Sequence, residues 1–309
     1  MSEKDWISTY FSPLARAAGA DGLRDDVAAL DDAGPKIVTV DALVEGIHFL
    51  KSDPIETVAQ KLVRVNVSDC LASGAAPYEA LLTLGWPSDR SETELRDFAG
   101  AFGQELETWG ISLLGGDTIT HPGGLFLSLT LTGVCHAAGP VRRTGAQVGD
   151  DVWVTGSIGA AKLGFDAIEA GEQSEYAAAY RSPHLPQRAI SEVIAAFATA
   201  SMDVSDGLLG DAKSLATCSE SQLKLDLDTV DFAGNPQTIK EKLSLAAWGD
   251  DYQCLFTASA ETRVFIEDWA RQTGQIIGRI GNVCVGEGIS ITSCGNRINL
   301  PDVLGFEHN

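Results

Sequence analysis

Aspartates are the residues of this chain whose placement best suits chemistry. They occur in six segments, namely GLRDDVAAL, TVDALVEGIHF, NVSDCLASGAAP, LLGGDTIT, MDVSDGL and WGDDYQCLF, and most of them end an apolar stretch or stand beside glycine. A strand end is a rigid platform, and glycine lets a backbone or a phosphate come close. Carboxylates that converge from several strand ends repel one another unless a cation neutralises them, and Mg²⁺ prefers such oxygen ligands. The pattern therefore predicts a magnesium site for phosphoryl transfer.

Each aspartate motif alone also has an ordinary structural explanation. An aspartate beside glycine is commonly a turn residue or a helix cap. Asp31-Asp32 and Asp150-Asp151 fit that explanation best, as a polar loop and the start of a strand, and Asp203 could cap the helix beyond Ser205. The metal hypothesis is favoured by the number of motifs that place one aspartate among apolar and small residues.

Candidate phosphate-binding residues are few. The sequence has neither a G-x-x-x-x-G-K-[ST] loop nor a protein-kinase signature, so a phosphate cradle must be of another type. Glycine amides in Gly115–Thr118 could point at an anion, and Arg142-Arg143 could clamp a phosphate. His48 follows Asp41 closely and could touch a substrate phosphate, although a lone histidine is more often structural. No Ser/His/Asp or Cys/His pattern indicates a nucleophile.

Composition excludes several classes of function. The 309 residues include 22 basic and 43 acidic ones, a formal net charge of −21, so nucleic acid is not an expected partner. Six scattered cysteines without a C-x-x-C pair argue against a zinc site and a disulfide framework. The first residues lack a signal-peptide pattern, and no apolar run is long enough to span a bilayer, so the expected location is the cytoplasm.

Strands and helices alternate along the whole chain, which predicts an α/β or α+β fold. Strand-like segments are predicted at 37–50, 79–86, 111–114, 125–135, 151–155, 223–227, 252–257 and 289–292, with Gly115–Gly124 as a loop. Helices are predicted at 55–75, 91–109, 160–171, 186–200 and from Leu208, with Ser91 and Glu94 forming a capping box. The amino-acid composition changes near 137–140, which predicts a boundary between domains 1–138 and 139–309.

Taken in order, the motifs resemble the thiamine-monophosphate kinase family, within the aminoimidazole-ribonucleotide-synthetase-like superfamily. The matching segments are GLRDDVA, VDALVEGIHF, NVSDCLASGAAP, GGDT, RTGAQVGD, DVSDGL, WGDDYQ and GFEHN, which span residues 22–308. The resemblance implies ATP-dependent, Mg²⁺-assisted phosphorylation of thiamine monophosphate to thiamine diphosphate by direct transfer. It also implies two α/β domains, with the sheet of the first forming the interface of a homodimer.

The resemblance also implies roles for individual residues. The Mg²⁺ site would comprise Asp26, Thr39, Val40, Asp41, Asp69, Asp117, Asp203 and Asp206, with Val40 acting only through its carbonyl. ATP would contact Gly116, Asp117, Arg143 and Ser205. Thiamine monophosphate would contact His48, Asp250 and Phe306.

The chain departs from the family pattern near the metal and acceptor motifs. Arg24 replaces a glycine, Val40 a threonine, Trp248 a glycine, and Asp250 and Gln253 each replace a glutamate. These changes leave two alternatives open. One is another ATP-dependent enzyme of the superfamily with a different acceptor, and the other is a non-catalytic nucleotide-binding protein.

Overall fold

The computed structural model describes residues 3–16, 20 and 34–306. Two compact units form within these ranges. The first contains the described residues up to Cys70 together with Ala75–Cys135, and the second contains Leu71–Gly74 and the chain from His136 onward. The domain bounds 1–138 and 139–309 stay a prediction.

A four-stranded sheet forms the centre of the first unit. Its strands are β1 (Lys36–Val44), β2 (Ala75–Pro87), β3 (Ser112–His121) and β4 (Phe126–Cys135), in the order β1-β4-β2-β3. Strand β4 runs antiparallel to both β1 and β2, whereas β2 and β3 are parallel. The helices are α1 (Glu3–Trp6), α2 (Ile55–Ala72) and α3 (Glu92–Trp109), and short π-helical and 3₁₀ turns follow α1 at Ile7–Phe11 and Ser12–Leu14.

One face of this sheet is covered and the other is open. Leu127, Leu129 and Leu131 of β4 are fully buried, while the side chains that alternate with them are half-buried or exposed. On the open face lie the exposed apolar side chains of Val38, Val40, Leu81, Ile119 and Phe126. This alternation is typical of an antiparallel sheet that has one covered face.

A seven-stranded sheet forms the centre of the second unit, with the order β11-β10-β7-β9-β5-β8-β6. Its strands are β5 (Asp151–Thr155), β6 (Ala198–Asp203), β7 (Gln222–Asp226), β8 (Cys254–Ala258), β9 (Ile277–Cys284), β10 (Gly288–Ser293) and β11 (Asn296–Ile298). The helices are α4 (Ala160–Glu169), α5 (Ala177–Arg181), α6 (Ile190–Phe197), α7 (Leu208–Cys218), α8 (Ile239–Ala246) and α9 (Arg263–Thr273). Strand β5 is buried along its whole length between β8 and β9.

The mixed α/β class predicted from the alternation is confirmed, and so is the capping box that begins α3. Two local predictions were wrong. Gly115–His121 is not a loop but part of β3, because it pairs with β2 beyond a bulge. The helix predicted at 186–200 ends at Phe197, and Ala198 already belongs to β6 because it pairs with β8.

All six cysteines are free, and Cys70, Cys135 and Cys254 are buried. Within the described ranges, the structure contains no helix with the length and apolar character needed to cross a membrane. The cytoplasmic location stays a prediction.

Candidate functional site

Three predicted metal ligands of the first unit lie on the helix-covered side of its sheet. Thr39 and Asp41 of β1 pair with the buried Leu131 and Leu129, so their side chains point to the covered face. The Thr39 hydroxyl donates a short hydrogen bond to Asp69 Oδ2 on α2. The Asp41 amide donates to Asn66 Oδ1 of α2 at 3.0 Å. Strand β1 and helix α2 therefore bring these oxygen atoms to one region.

Asp117 lies on the other face of the same sheet. It pairs with Thr83 of β2, next to the pair formed by the buried Leu84 and Thr118, so the Asp117 side chain points to the open face. Val40 also points there and is 60% exposed. The structure thus separates Asp117 from Thr39 and Asp41, which the resemblance grouped as metal ligands.

Gly116 allows β3 to run close to β2. A Cβ at Gly116 would lie 1.9 Å from the carbonyl oxygen of Leu82. Since that atom is backbone, a side chain there would force the two strands apart. The glycine therefore has a packing role in the strand as well as its predicted ATP contact.

His48 is held by two hydrogen bonds just after β1. Its Nδ1 accepts from the Val44 amide at 3.1 Å, so the proton of a neutral ring is on Nε2. The ammonium group of Lys61, whose side chain is fully buried, donates to the His48 carbonyl at 2.9 Å. These bonds fix the ring in position before any ligand arrives.

Three segments of the second unit meet at the end of β6. The Asp250 amide donates to the Ser205 carbonyl at 2.9 Å, and the Phe306 amide donates to the Asp206 carbonyl at 2.8 Å. The Tyr252 amide donates to the Val204 carbonyl at 2.8 Å. The structure therefore brings together Ser205, Asp206, Asp250 and Phe306, which the resemblance assigned separately to ATP, Mg²⁺ and thiamine monophosphate.

Gly249 makes the closest approach in this group. A Cβ at that position would lie 2.2 Å from the Ser205 carbonyl oxygen. The next residue, Asp250, has a left-handed backbone with φ of 70°, which is uncommon for a residue other than glycine. Outliers of this kind persist where the surroundings determine the backbone, and they concentrate at functional sites.

Asp211 is a buried carboxyl that the sequence did not single out. Its Oδ2 accepts from the amides of Asp206 and Gly207, both at 3.1 Å, at the start of α7. Burial and the neighbouring charge of Asp206 raise the pKa of Asp211 to about 7, against the opposing effect of Arg143. Its place in the first helical turn is the signal that could have identified it.

Asp203 ends β6 and is buried, and its side chain does not cap α7.

The side chains of Asp251 and Gln253 fix the segment around Asp250. The Asp251 carboxylate accepts from the amides of Gly159 at 2.7 Å and Ala161 at 3.3 Å, at the start of α4. Gln253 Oε1 accepts from the Thr155 hydroxyl at 2.9 Å, while its Nε2 donates to the His184 carbonyl at 2.7 Å. A glutamate could not make that donation, so the amide suits this position.

Trp248 holds the same segment to α4. Its ring stacks on Phe165 with centroids 5.2 Å apart, and the ammonium group of Lys162 lies 4.8 Å from its ring centroid. Phe165 in turn contacts Tyr180, with ring centroids 5.2 Å apart. The tryptophan therefore has an aromatic and a cationic partner, both from one helix.

Oxygen donors suited to Mg²⁺ are present in both units. Among the described residues, no three His, Cys, Asp or Glu side chains form a ready-made cation cluster. Mg²⁺ commonly takes one or two carboxylates, waters and substrate phosphates, so a complete protein cage is not required. The Thr39–Asp69 pair and the Asp203–Asp206 segment fit that manner of binding. Asp26, the remaining predicted ligand, lies outside the described residues, as do Arg24 and Asp31-Asp32.

The chain is similar to known proteins in sequence and in fold. Residues 24–135 match the family model described as AIR synthase related protein, N-terminal domain. The thiamine-monophosphate kinase of Caulobacter vibrioides is 33% identical, over 99% of this chain and 91% of the relative.

Solved structures show the same likeness. The thiamine-monophosphate kinase of Stenotrophomonas maltophilia has a TM-score of 0.81 at 29% identity, covering 95% of this chain and 96% of that one. The protein AaThiL, complexed with AMPPCP and TMP, has a TM-score of 0.74 at 26% identity, covering 92% of this chain and 93% of that one.

Proposed function

The chain belongs to the thiamine-monophosphate kinase family, and we propose that it transfers the γ-phosphate of ATP directly to thiamine monophosphate, giving thiamine diphosphate and ADP. The observation that carries the proposal is the meeting of three segments at the end of β6. There, Ser205, Asp206, Asp250 and Phe306 are joined by backbone hydrogen bonds of 2.8 and 2.9 Å. Residues expected to contact nucleotide, metal and acceptor thus occupy one region of the second unit.

The acceptor atom in this reaction is a phosphate oxygen, which is already ionised near neutral pH. No side chain needs to remove a proton from it, so the protein contributes mainly by positioning and by neutralising charge. When bound, Mg²⁺ supplies charge neutralisation at the phosphate oxygens. The proposed ligands are the side chains of Asp26, Thr39, Asp41, Asp69, Asp203 and Asp206, with the Val40 carbonyl. Asp117 points to the opposite face of the first-unit sheet, so it is not proposed to share an ion with Thr39 and Asp41.

The proposed substrate contacts are those of the nucleotide and those of the acceptor. Gly116, Asp117, Arg143 and Ser205 would contact ATP. His48, Asp250 and Phe306 would contact thiamine monophosphate. Phe306 is 50% exposed, so its ring is accessible for stacking on the cationic thiazolium.

The test is to incubate the purified protein with ATP and thiamine monophosphate, with and without Mg²⁺, and to separate the products by chromatography. We expect equal amounts of thiamine diphosphate and ADP, both lost without Mg²⁺. Asp206→Asn should abolish turnover, whereas Asp268→Asn should not, because Asp268 is an exposed partner of Arg271 on α9. ATP binding without thiamine diphosphate would refute the kinase assignment and favour a different acceptor or a non-catalytic role.

We also propose that a second copy of this chain covers the open face of the first-unit sheet. Five apolar side chains are exposed there, and they come from all four strands. Val38 on β1 is 69% exposed and Ile119 on β3 is 52% exposed, so the exposed apolar surface extends from one edge of the sheet to the other. Homodimers commonly bury such a patch against its symmetry mate.

Sedimentation velocity at micromolar concentration measures this directly. The unmodified protein should sediment as a dimer, and Val38→Asp combined with Leu81→Asp should shift it to a monomer. Val285→Asp is the matched control, because Val285 is 83% exposed and belongs to the second unit rather than to the first-unit sheet. A monomer from the unmodified protein would contradict the proposal.

A further inference from the structure

A serine hydroxyl at the end of α7 holds the loop that carries Arg143. Ser219 directly follows the last residue of that helix. Its Oγ donates a hydrogen bond to the Arg143 carbonyl at 2.9 Å and accepts one from the Ala146 amide at 3.2 Å. A serine hydroxyl can donate and accept at once, so the two bonds form together. This side chain therefore closes the turn from Arg143 to Ala146.

The same loop is also attached to the edge of the seven-stranded sheet. Strand β6 is the edge strand, and its Ser201 amide donates to the Arg142 carbonyl at 2.8 Å. Gly145 packs closely on β6, since a Cβ there would lie 2.6 Å from the Thr199 carbonyl oxygen. The loop thus has one attachment to β6 and one to α7. The attachment to α7 is made by a side chain, so a substitution can remove it without changing the sheet.

The charge of Arg143 acts towards the opposite end of α7. Asp211 lies in the first turn of that helix, where burial raises its pKa to about 7 and the Arg143 charge opposes that shift. Asp211 and Ser219 are eight residues apart, which is about 12 Å along a helix axis. The Arg143 backbone is held beside the last turn, so its side chain extends along α7 towards Ser205 and Asp206, which come just before the helix.

A fixed backbone matters for an arginine that binds phosphate. The guanidinium binds phosphate best through two parallel hydrogen bonds, which require a defined direction of approach. Arg143 is exposed, so packing restricts its side chain little. Holding its backbone in place reduces the conformational entropy that is lost when a nucleotide binds.

We infer that Ser219 is a positioning residue for ATP, because it fixes the backbone of Arg143 and thereby the direction of the guanidinium. The inference rests on the proposed function for the contact between Arg143 and ATP. Ser219 acts through Arg143 and not by touching the nucleotide. Without the hydroxyl, the turn is no longer tied to α7, and the guanidinium must be ordered when the nucleotide binds. Affinity for the nucleotide then falls, whereas affinity for the acceptor does not.

Removing the hydroxyl tests the role of Ser219. In Ser219→Ala, the Kd of AMPPCP with Mg²⁺, measured by calorimetric titration, should rise about tenfold, which is roughly the effect of one hydrogen bond. The KM for ATP should rise with it, and the KM for thiamine monophosphate should stay unchanged. Ser219→Thr keeps a hydroxyl and should retain most of the affinity, whereas the isosteric Ser219→Val should not.

Thr217→Val is the matched control on the same turn of α7. The Thr217 hydroxyl donates within the helix, to the Lys213 carbonyl at 2.8 Å. Its removal should leave the Kd of AMPPCP unchanged. Thermal unfolding checks that every variant folds. Equal losses of affinity in Ser219→Ala and Thr217→Val would overturn the inference.

A double-mutant cycle separates positioning from a general effect on the helix. If Ser219 acts through Arg143, then Arg143→Ala and the double variant with Ser219→Ala should bind AMPPCP with the same Kd. A Ser219→Ala substitution that weakens binding equally with and without Arg143 would refute the positioning role. An Arg143→Ala protein that binds AMPPCP as tightly as the unmodified protein would refute it as well.

Nucleotide binding is measured without the acceptor, so this inference and the proposed function can fail separately. A protein that forms no thiamine diphosphate, but loses nucleotide affinity in Ser219→Ala only when Arg143 is present, supports the positioning role and contradicts the proposed acceptor. A protein that forms thiamine diphosphate, and whose Ser219→Ala variant binds AMPPCP normally, refutes the role of Ser219 alone.

Discussion

The contact between Gly249 and the Ser205 carbonyl is close enough for one methyl group to break it. In Gly249→Ala the new Cβ would lie 2.2 Å from that oxygen, so the segments must separate by about 1 Å to restore normal contact. The 2.9 Å hydrogen bond from the Asp250 amide to the same carbonyl would then be lost. We expect kcat to fall about 100-fold, because a displacement of this size at a positioning group has roughly that effect.

The stability of the variant should change far less than its activity. One weakened hydrogen bond and local crowding lower the free energy of unfolding by about 2 kcal/mol. Gly139→Ala is the matched control, because no atom lies within 4 Å of its added Cβ. Steady-state kinetics for both substrates and thermal unfolding followed by circular dichroism measure the two effects. A Gly249→Ala enzyme with unchanged kcat would refute the idea that this contact positions Asp250.

Three further substitutions test other contacts. Burial raises the pKa of Asp251 to about 7 from 3.8, so the folded state holds a proton that the unfolded state releases. The stabilisation that this proton gives the folded state is lost as the pH rises through 7. When the pH is lowered from 8 to 5, the free energy of unfolding of the unmodified protein, measured with urea, should therefore rise by about 2 kcal/mol relative to that of Asp251→Asn. The same pH dependence of this free energy in both proteins would contradict the prediction.

Trp248→Ala should lower the free energy of unfolding by about 2 kcal/mol through loss of its stacking and cation–π contacts, whereas Trp248→Phe should retain more than half of that stability. Equal losses in the two variants would show that the ring contacts contribute little. Gly116→Ala should lower the melting temperature by several degrees, since its Cβ would lie 1.9 Å from the Leu82 carbonyl, and an unchanged melting temperature would show that β3 can move.

Elements whose signals are local could be predicted from the sequence. Helix α3 begins with Ser91 and Glu94, which are three residues apart, and both hydrogen bonds of their capping box form in the structure. The start of α7 at Leu208 likewise follows from Ser205-Asp206-Gly207, which comes directly before it in the sequence. Such signals involve neighbours in sequence, so no knowledge of distant contacts is needed.

Other features depend on residues far apart in the chain. Gly115–His121 has the composition of a loop, but pairing with β2 makes it a strand, and that partner begins at Ala75, 40 residues before Gly115. Gln253 looked like a departure at the acceptor site, yet its amide bridges Thr155 and the His184 carbonyl. The separation of Asp117 from Asp41 on opposite faces required the register of four strands. A motif gives the residue type, whereas pairing decides where its side chain points.

The position of β5 has a consequence for synthesis on the ribosome. This strand is made early in the second unit, but its two neighbours, β8 and β9, begin at Cys254 and Ile277. The start of α4 likewise depends on Asp251, because the Gly159 amide donates to the carboxylate of that residue, which lies 92 residues further along the chain. A nascent chain that stops before these residues leaves an apolar strand without either neighbour, and such edges promote aggregation. The second unit can therefore complete its sheet only after β11 (Asn296–Ile298) has been synthesised.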